Sequence, residues 1–383
     1  MSFTVATHSA PPDAGDSEEI ALLRELVAIE TPSFDAAASA RIAEVLEARF
    51  KAIGASVALH RTEAGTDLVA DVPGHGAPLL LVGHTDTVWP VGTIETTVPW
   101  IEEAGRIRGP GVFDMKSGIV VMLQALGALR ARPHRAVRVV LVSDEEVGSP
   151  LSQPLLREAC DGVTAAIGFE APHPDGALKV GRRGSSRVRI AVAGRSAHAG
   201  LDPELGVSAI DELVDQLLLV RDLTATAPSE SPVLCNVGTL EGGGRTNVIP
   251  DRAAAEIGLR FADADTEDRV LAGLRGLVPR RAGAEITVEL LSHRPTWTAG
   301  QRDHELLASV ALLAAGIGHE LGGRPANGAG DTNLLGSLEI PTLDGFGPRG
   351  AGAHATNEHI LTPSLFERIE LLTTVLSEHA LGP

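Results

Sequence analysis

The sequence predicts an α/β protein, a mixed sheet flanked by helices, that carries an inserted α+β domain of ferredoxin-like order. Two observations predict this. Between residues 17 and 169, strand-length apolar runs alternate with amphipathic stretches; after about residue 180 the order becomes strand, helix, two strands, helix, strand. An α/β texture then returns near residue 304, so the larger domain is predicted to be discontinuous. The boundaries are 17–180 for its first part, 181–292 for the insertion and 293–383 for its second part.

The elements follow from periodicity. Leu22, Leu23, Leu26 and Val27, then Ile42, Val45, Leu46 and Phe50, recur at helical spacing on either side of a break at Thr31-Pro32-Ser33. Strands are expected near 55–60, 66–72 and 78–83. Met115 to Ala131 puts Ile119, Met122, Leu123, Leu126 and Leu129 on one helix face. Strands 136–143 and 163–169 complete the first part. In the insertion, strands are expected at 185–193, 233–240, 251–261 and 284–291, with helices at 204–223 and 265–278. A helix at 304–316 opens the second part.

Composition narrows the function classes. A formal net charge of −18 over 383 residues argues against nucleic acid and anionic membrane surfaces as partners. The sequence has no Tyr, so no tyrosine hydroxyl takes part in catalysis. Cys160 and Cys235 are too few and too widely spaced for a disulfide framework or a thiolate zinc site. The start MSFTVATHSAPPDAGD lacks the basic and apolar regions of a signal peptide, and no apolar run approaches the roughly 20 residues of a membrane span. The expectation is a cytoplasmic protein with a frayed N-terminus.

The chemistry sits at the ends of the apolar runs. PLLLVG ends in His84-Thr-Asp86, AVRVVLVS in Asp144-Glu145-Glu146 and AAIGF in Glu170; GPGVFD brings Asp114 ahead of a helix, and His354 follows GFGPRGAGA. In open α/β sheets ligands bind outside the carboxyl ends of the strands, so these residues are expected on one rim. Each has a plain alternative when taken singly: a polar pair for His84 and Asp86, an N-cap for Asp114, a solvated charge run for 144–146. Together, two His and three carboxylates make a donor set that suits Zn²⁺, and a shared aspartate can hold two ions about 3.5–4 Å apart.

With those residues stand Gly109-Pro-Gly-Val-Phe-Asp114-Met-Lys-Ser-Gly, Asp144-Glu145-Glu146-Val-Gly-Ser and Ser196-Ala-His198-Ala-Gly. In this order, over residues 17 to 375, they resemble the dizinc exopeptidases. That family includes acetylornithine deacetylase, succinyl-diaminopimelate desuccinylase, aminoacylase and the glutamate carboxypeptidases. The resemblance implies the zinc exopeptidase fold, an inserted domain that serves dimerisation, and two Zn²⁺ for which Co²⁺ or Mn²⁺ can substitute. It implies that Asp114 bridges the ions, that His84 and Glu170 complete one site and Glu146 and His354 the other, and that Glu145 is the general base for the bridging water. Asp86 would orient the His84 ring. His198 would reach a partner's active site in a homodimer and stabilise the oxyanion there. Asn247 and Arg260 match positions that bind the substrate carboxylate, and Arg260 also lies in an apolar run, where an unpaired charge is costly.

The stretch HAGLDPELGVSAIDEL and Arg294-Pro295 resemble the carboxypeptidase G type of glutamate carboxypeptidase, with Arg294 placed to meet an acidic side chain. One departure is Gly330 in Gly328-Ala-Gly-Asp331, where relatives often carry a small hydroxyl residue. The implied function is zinc-dependent cleavage of the amide bond to a C-terminal amino acid, with a small peptide or N-acyl amino acid as substrate. An N-acyl amino acid deacylase is the alternative within the enzyme class. A catalytically silent binding protein is the alternative outside it, and it would be favoured by loss of the base or of a ligand.

Overall fold

The computed structural model describes residues 17–228 and 231–377; the N-terminal stretch read above as frayed and not a signal peptide lies outside the described residues. The chain divides into two compact units. One comprises the chain up to Leu178, Leu306–Gly323 and the chain from Leu343; the other comprises Lys179–Glu305 and Arg324–Thr342.

In the first unit, Ser17 accepts from the Ile20 amide and caps helix Glu18–Ala28, which buries Leu22, Leu23, Leu26 and Val27. Asp35 caps helix Ala36–Ala52 in the same way, through Ala38 N at 2.9 Å. Between them Pro32, without an N–H, forms an isolated bridge to Thr87.

Five strands of the central sheet run in the order Ser56–Arg61, Thr66–Val72, Arg135–Val142, His75–His84, Ala165–Gly168. Thr66–Val72 is antiparallel to both of its neighbours, and the last three strands are parallel. This mixed arrangement is the expected one. The register pairs His84 with Val142 and Val82 with Gly168. Because the three strands are parallel and in step, the residues that follow them emerge at one edge.

Helix Ser117–Leu129 is buried on nearly every side, against Glu18–Ala28 and Thr362–Ser377. Its close seat depends on Gly118, where an added Cβ would lie 2.6 Å from the Phe169 carbonyl oxygen. Contrary to the expectation that no run comes near spanning length, Val112–Leu129 is long and apolar enough to pass for a span. However, 72% of it is buried inside the protein, as befits a core helix.

A small sheet of Gly350–Ala351, His359–Leu361, Arg106–Arg108 and Ile101–Glu103 was not anticipated. Strands of two or three residues are too short to show a period.

The second unit holds four strands in the order Leu234–Gly242, Arg252–Phe261, Gly184–Ala193, Glu285–Arg294, all antiparallel. Helices Ala209–Ala225 and Ala264–Arg275 bury Leu213, Val220, Val270 and Leu274 against Val188, Ile190 and Val192 of the sheet. This is the ferredoxin-like order that the sequence predicts.

The first of these helices begins at Ala209 and not at residue 204. Ser208 caps it by accepting from Asp211 N, while Val207 is held in a bridge with Arg195 and cannot join the helix. Edge strand Leu234–Gly242 is exposed along its whole length, and Val214 and Leu218 are each 48% exposed on the helix.

Candidate metal centre

The carboxyl edge of the three parallel strands carries His84 on the end of its strand, Glu145 and Glu146 just past Val142, and Glu170 two residues beyond Gly168. Asp114 arrives from a tight turn, Val112–Lys116, in which Asp114 and Met115 depart from helical angles and share a cis peptide bond. The N-cap alternative for Asp114 does not hold: helix Ser117–Leu129 is preceded by Lys116 and has no side-chain cap. His354 sits in a loop at φ 60°, in the left-handed region.

These side chains form two groups that share one residue. His84, Asp114 and Glu170 offer ligand atoms that all lie within 4.8 Å of one another, and so do Asp114, Glu146 and His354. His84 Nε2 lies 3.2 Å from Asp114 Oδ1 and 3.2 Å from Glu170 Oε1. His354 Nε2 lies 3.3 Å from Asp114 Oδ2 and 3.0 Å from Glu146 Oε2. The Asp114 carboxylate thus stands between two imidazoles, one oxygen toward each.

The electrostatics follow from this geometry. Burial works against charge on His84, but Asp114, Asp86 and Glu170 outweigh it and hold the imidazole well above its usual range. Asp114 and Glu146 push the His354 imidazole up to about 10. Burial raises Asp114, yet His354 and His84 hold it below the ordinary carboxylate range. Burial leaves Glu146 raised despite His354. To ligate a cation, both imidazoles would have to be neutral, so metal binding and proton release are linked here.

The donor set fits divalent metal. Glu146 faces His354 through Oε2, while its other oxygen, Oε1, is buried with no hydrogen-bond partner among the described residues. Imidazole and carboxylate are the ligand types that zinc and its neighbours accept.

Asp86 lies behind His84. Its backbone oxygen is 2.9 Å from His84 Nδ1, leaving Nε2 to face the cluster. Its carboxylate accepts from Ser33 Oγ at 2.6 Å and from the Glu145 and Glu146 amides at 3.1 Å each. One aspartate therefore orients the histidine and anchors the backbone of both glutamates. The run of three acids is resolved by direction: Asp144 turns inward, accepting from Leu151 N at 2.8 Å, and burial raises its pKa. Glu145 is also buried, at the head of a single turn Glu145–Val147.

Some contributors gave no sequence signal. Ser33 lies in the interhelical break, where a small polar residue is unremarkable. Lys116 is fully buried and donates to Ile29 O at 2.7 Å; burial lowers it to about 7. Glu358 lies in the polar stretch after His354, where an acid reads as surface. It is instead fully buried and bonded to the Asp114 turn.

The remaining predicted residues belong to the second unit. His198 is exposed, and its Nδ1 accepts from the Gly200 and Leu201 amides at 3.2 and 3.0 Å, so the neutral ring carries its proton on Nε2. Asn247 is adjacent: its backbone oxygen accepts from Ala199 N at 2.9 Å, and Val248 bridges to His198. Arg260 and Arg294 occupy strands on either side of Gly184–Ala193, and both pair in register with Ser185. Burial, and then the nearby Arg294, lower the Arg260 pKa. Arg294 Nη2 lies 3.9 Å from Asp331 Oδ1.

Gly330 has a local reason. A Cβ there would come within 3.3 Å of the Arg182 guanidinium carbon, and that guanidinium donates to Gly328 O at 2.8 Å.

Two imidazole–carboxylate groups sharing one aspartate, on the carboxyl rim of a mixed sheet, define a metal-dependent hydrolase. The chain belongs to peptidase family M20/M25/M40, whose model matches residues 80–378. It is accordingly a hydrolase of peptide or amide bonds. It is 28% identical to carboxypeptidase G2 of Pseudomonas sp. (strain RS-16), over 91% of this chain and 86% of that one. It is 27% identical to succinyl-diaminopimelate desuccinylase of Rhodospirillum centenum, over 95% and 98%. A tripeptidase from Staphylococcus aureus shares the fold, with TM-score 0.73 and 22% identity over 94% of this chain and 97% of that one.

Proposed function

We propose that the protein is a zinc-dependent carboxypeptidase that cleaves the amide bond to a C-terminal acidic amino acid, as a glutamate carboxypeptidase does. The observation that carries this reading is the Asp114 carboxylate set between the His84–Glu170 and Glu146–His354 pairs. Those five residues would hold two Zn²⁺. The ions, when bound, polarise the scissile carbonyl and acidify the attacking water.

The rest is the work of the chain's own groups. Asp86 holds the His84 ring so that Nε2 faces the cluster. Glu145 takes the proton of the attacking water and delivers it to the nitrogen of the departing amine. Asn247 and Arg260 hold the free carboxylate of the substrate, and Arg294 meets an acidic side chain. Arg260 and Arg294 both pair in register with Ser185, and burial and then the charge on Arg294 lower the Arg260 pKa. Like charges repel, and a dicarboxylate would pair with both cations.

A panel of peptidyl and N-acyl derivatives of Glu, Asp, Arg and apolar amino acids tests the substrate class. Chelator-sensitive turnover fastest on C-terminal Glu or Asp is expected. Arg294→Ala should raise KM for those substrates about tenfold or more while leaving apolar ones unchanged, because a charge-assisted hydrogen bond contributes about 1.5–3 kcal/mol. Turnover confined to simple N-acyl amino acids would overturn the carboxypeptidase reading. It would favour a deacylase with the same centre, an alternative supported by the desuccinylase relative at nearly the same identity.

The active form is proposed to be a homodimer joined through the second unit. Support comes from the fully exposed edge strand Leu234–Gly242 and from Val214 and Leu218 on the neighbouring helix; an unpaired edge invites strand addition. His198, donating from Nε2, would stabilise the oxyanion in the partner's site. Mixing inactive Glu145→Ala and His198→Ala proteins under subunit exchange should restore activity, since a mixed dimer then has one intact site. A monomer by sedimentation, or no recovery on exchange, would contradict it.

A further inference from the structure

Glu358 lies outside the ligand groups, yet its carboxylate makes four contacts around them. Oε1 accepts from the Phe113 amide at 2.9 Å and the Asp114 amide at 3.1 Å. Oε2 accepts from the Gly111 amide at 3.0 Å and from the Trp89 indole Nε1 at 2.6 Å. Three amides of one turn converging on a single anion form a nest, here filled by a side chain of the protein.

The turn is also tied by the Lys116 amide, which donates to Gly111 O at 3.0 Å. It follows Gly111 in the left-handed region at φ 70°, and its angles at Asp114 and Met115 are not helical. The direction in which Asp114 leaves the backbone is therefore set by the partners of these amides. Glu358 also stands four residues after His354, next to strand His359–Leu361, which pairs with Arg106–Arg108 just ahead of the turn. One carboxylate thus ties the chain that carries His354 to the chain that carries Asp114. The two residues face each other at 3.3 Å across the centre.

We propose that Glu358 is a positioning residue of the metal centre: by clamping the amides of the 111–114 turn it sets the Asp114 carboxylate between His84 and His354. The inference rests on the reading of these groups as metal ligands. Both ions should depend on Glu358 together, because both share Asp114.

The test is zinc affinity and stoichiometry of purified metal-free protein, titrated against a chromogenic chelator, with Co²⁺ absorption as a second readout. Wild type, Glu358→Gln, Trp89→Phe and Glu212→Gln are compared after circular dichroism shows each to be folded. Gln is of similar size but turns an NH₂ toward donors. The expected loss is about 10–100-fold for both ions, the range typical of groups that orient ligands, with an altered Co²⁺ spectrum. Trp89→Phe removes one of the four donors and keeps a ring, so a smaller loss of the same kind is expected. It remains informative if Glu358→Gln does not fold.

Glu212 is a fully buried acid of the second unit that accepts from the Arg280 and Arg281 amides. Its Gln variant controls for general destabilisation and should keep wild-type metal affinity. Unchanged affinity and spectrum in folded Glu358→Gln, or a loss matched by Glu212→Gln, overturns the proposal and leaves the metal centre standing. A wild type that binds no zinc overturns both.

Discussion

Replacing Glu145 with Ala is expected to lower kcat by about 10²–10⁴-fold, the contribution typical of a positioned acid–base group, with both metal ions still bound. The geometry separates the two effects. Glu145 belongs to neither ligand group, so removing its carboxylate takes no donor from the centre. Its backbone stays in place, because the amide is held by Asp86 Oδ1 at 3.1 Å. The fall should therefore appear in kcat, with KM and zinc content near those of wild type. Steady-state kinetics beside metal analysis on one preparation reads both quantities. A variant with full zinc content and kcat within threefold of wild type would remove Glu145 from the base role.

Replacing Asp114 with Asn should abolish activity by a different route. Asp114 is the one residue common to both groups, one oxygen facing each histidine. Asn keeps the shape but loses the charge, and its NH₂ must point at one of the two imidazoles. Both ions should weaken together, by more than the roughly 10–100-fold that orienting partners cost. His84→Ala, by contrast, touches one group, and should spare the Glu146–His354 pair more. Zinc titration of the three proteins settles it; an Asn variant that still binds two ions with wild-type affinity would show that Asp114 is not shared.

Much of the centre was legible because strand chemistry and strand ends can be read locally. Leu79, Leu80, Leu81 and Val82 are all buried, and an apolar run of that length that stops at His84 marks where a strand ends. The same holds for Val142 before the acids and for Gly168 before Glu170. The helices of the second unit were legible for a related reason, since Leu213, Val220, Val270 and Leu274 repeat with the helical period.

Other features were hidden because they depend on what packs from afar. Asp114 reads as a helix cap, and only the amides converging on Glu358 show why its turn is not the first turn of the helix. Asp144 is indistinguishable in sequence from Glu145 and Glu146. It is buried away from them because its carboxylate takes the Leu151 amide. Val207, assigned to the helix before Ala209, is pulled into a bridge by Arg195, a competing backbone partner that no periodicity reveals.

The sequence by itself determined the class of sheet, the strands whose ends carry the candidate ligands, and the inventory of imidazoles and carboxylates. These depend on residue type and on spacing along one element. Only the tertiary structure decided which strands are neighbours and in step, that Asp114 stands between two histidines 270 residues apart in sequence, and that a buried Glu358 holds it there. Such facts follow from parallel register and from the need to satisfy every buried amide. Both are properties of segments that meet only once the chain has folded.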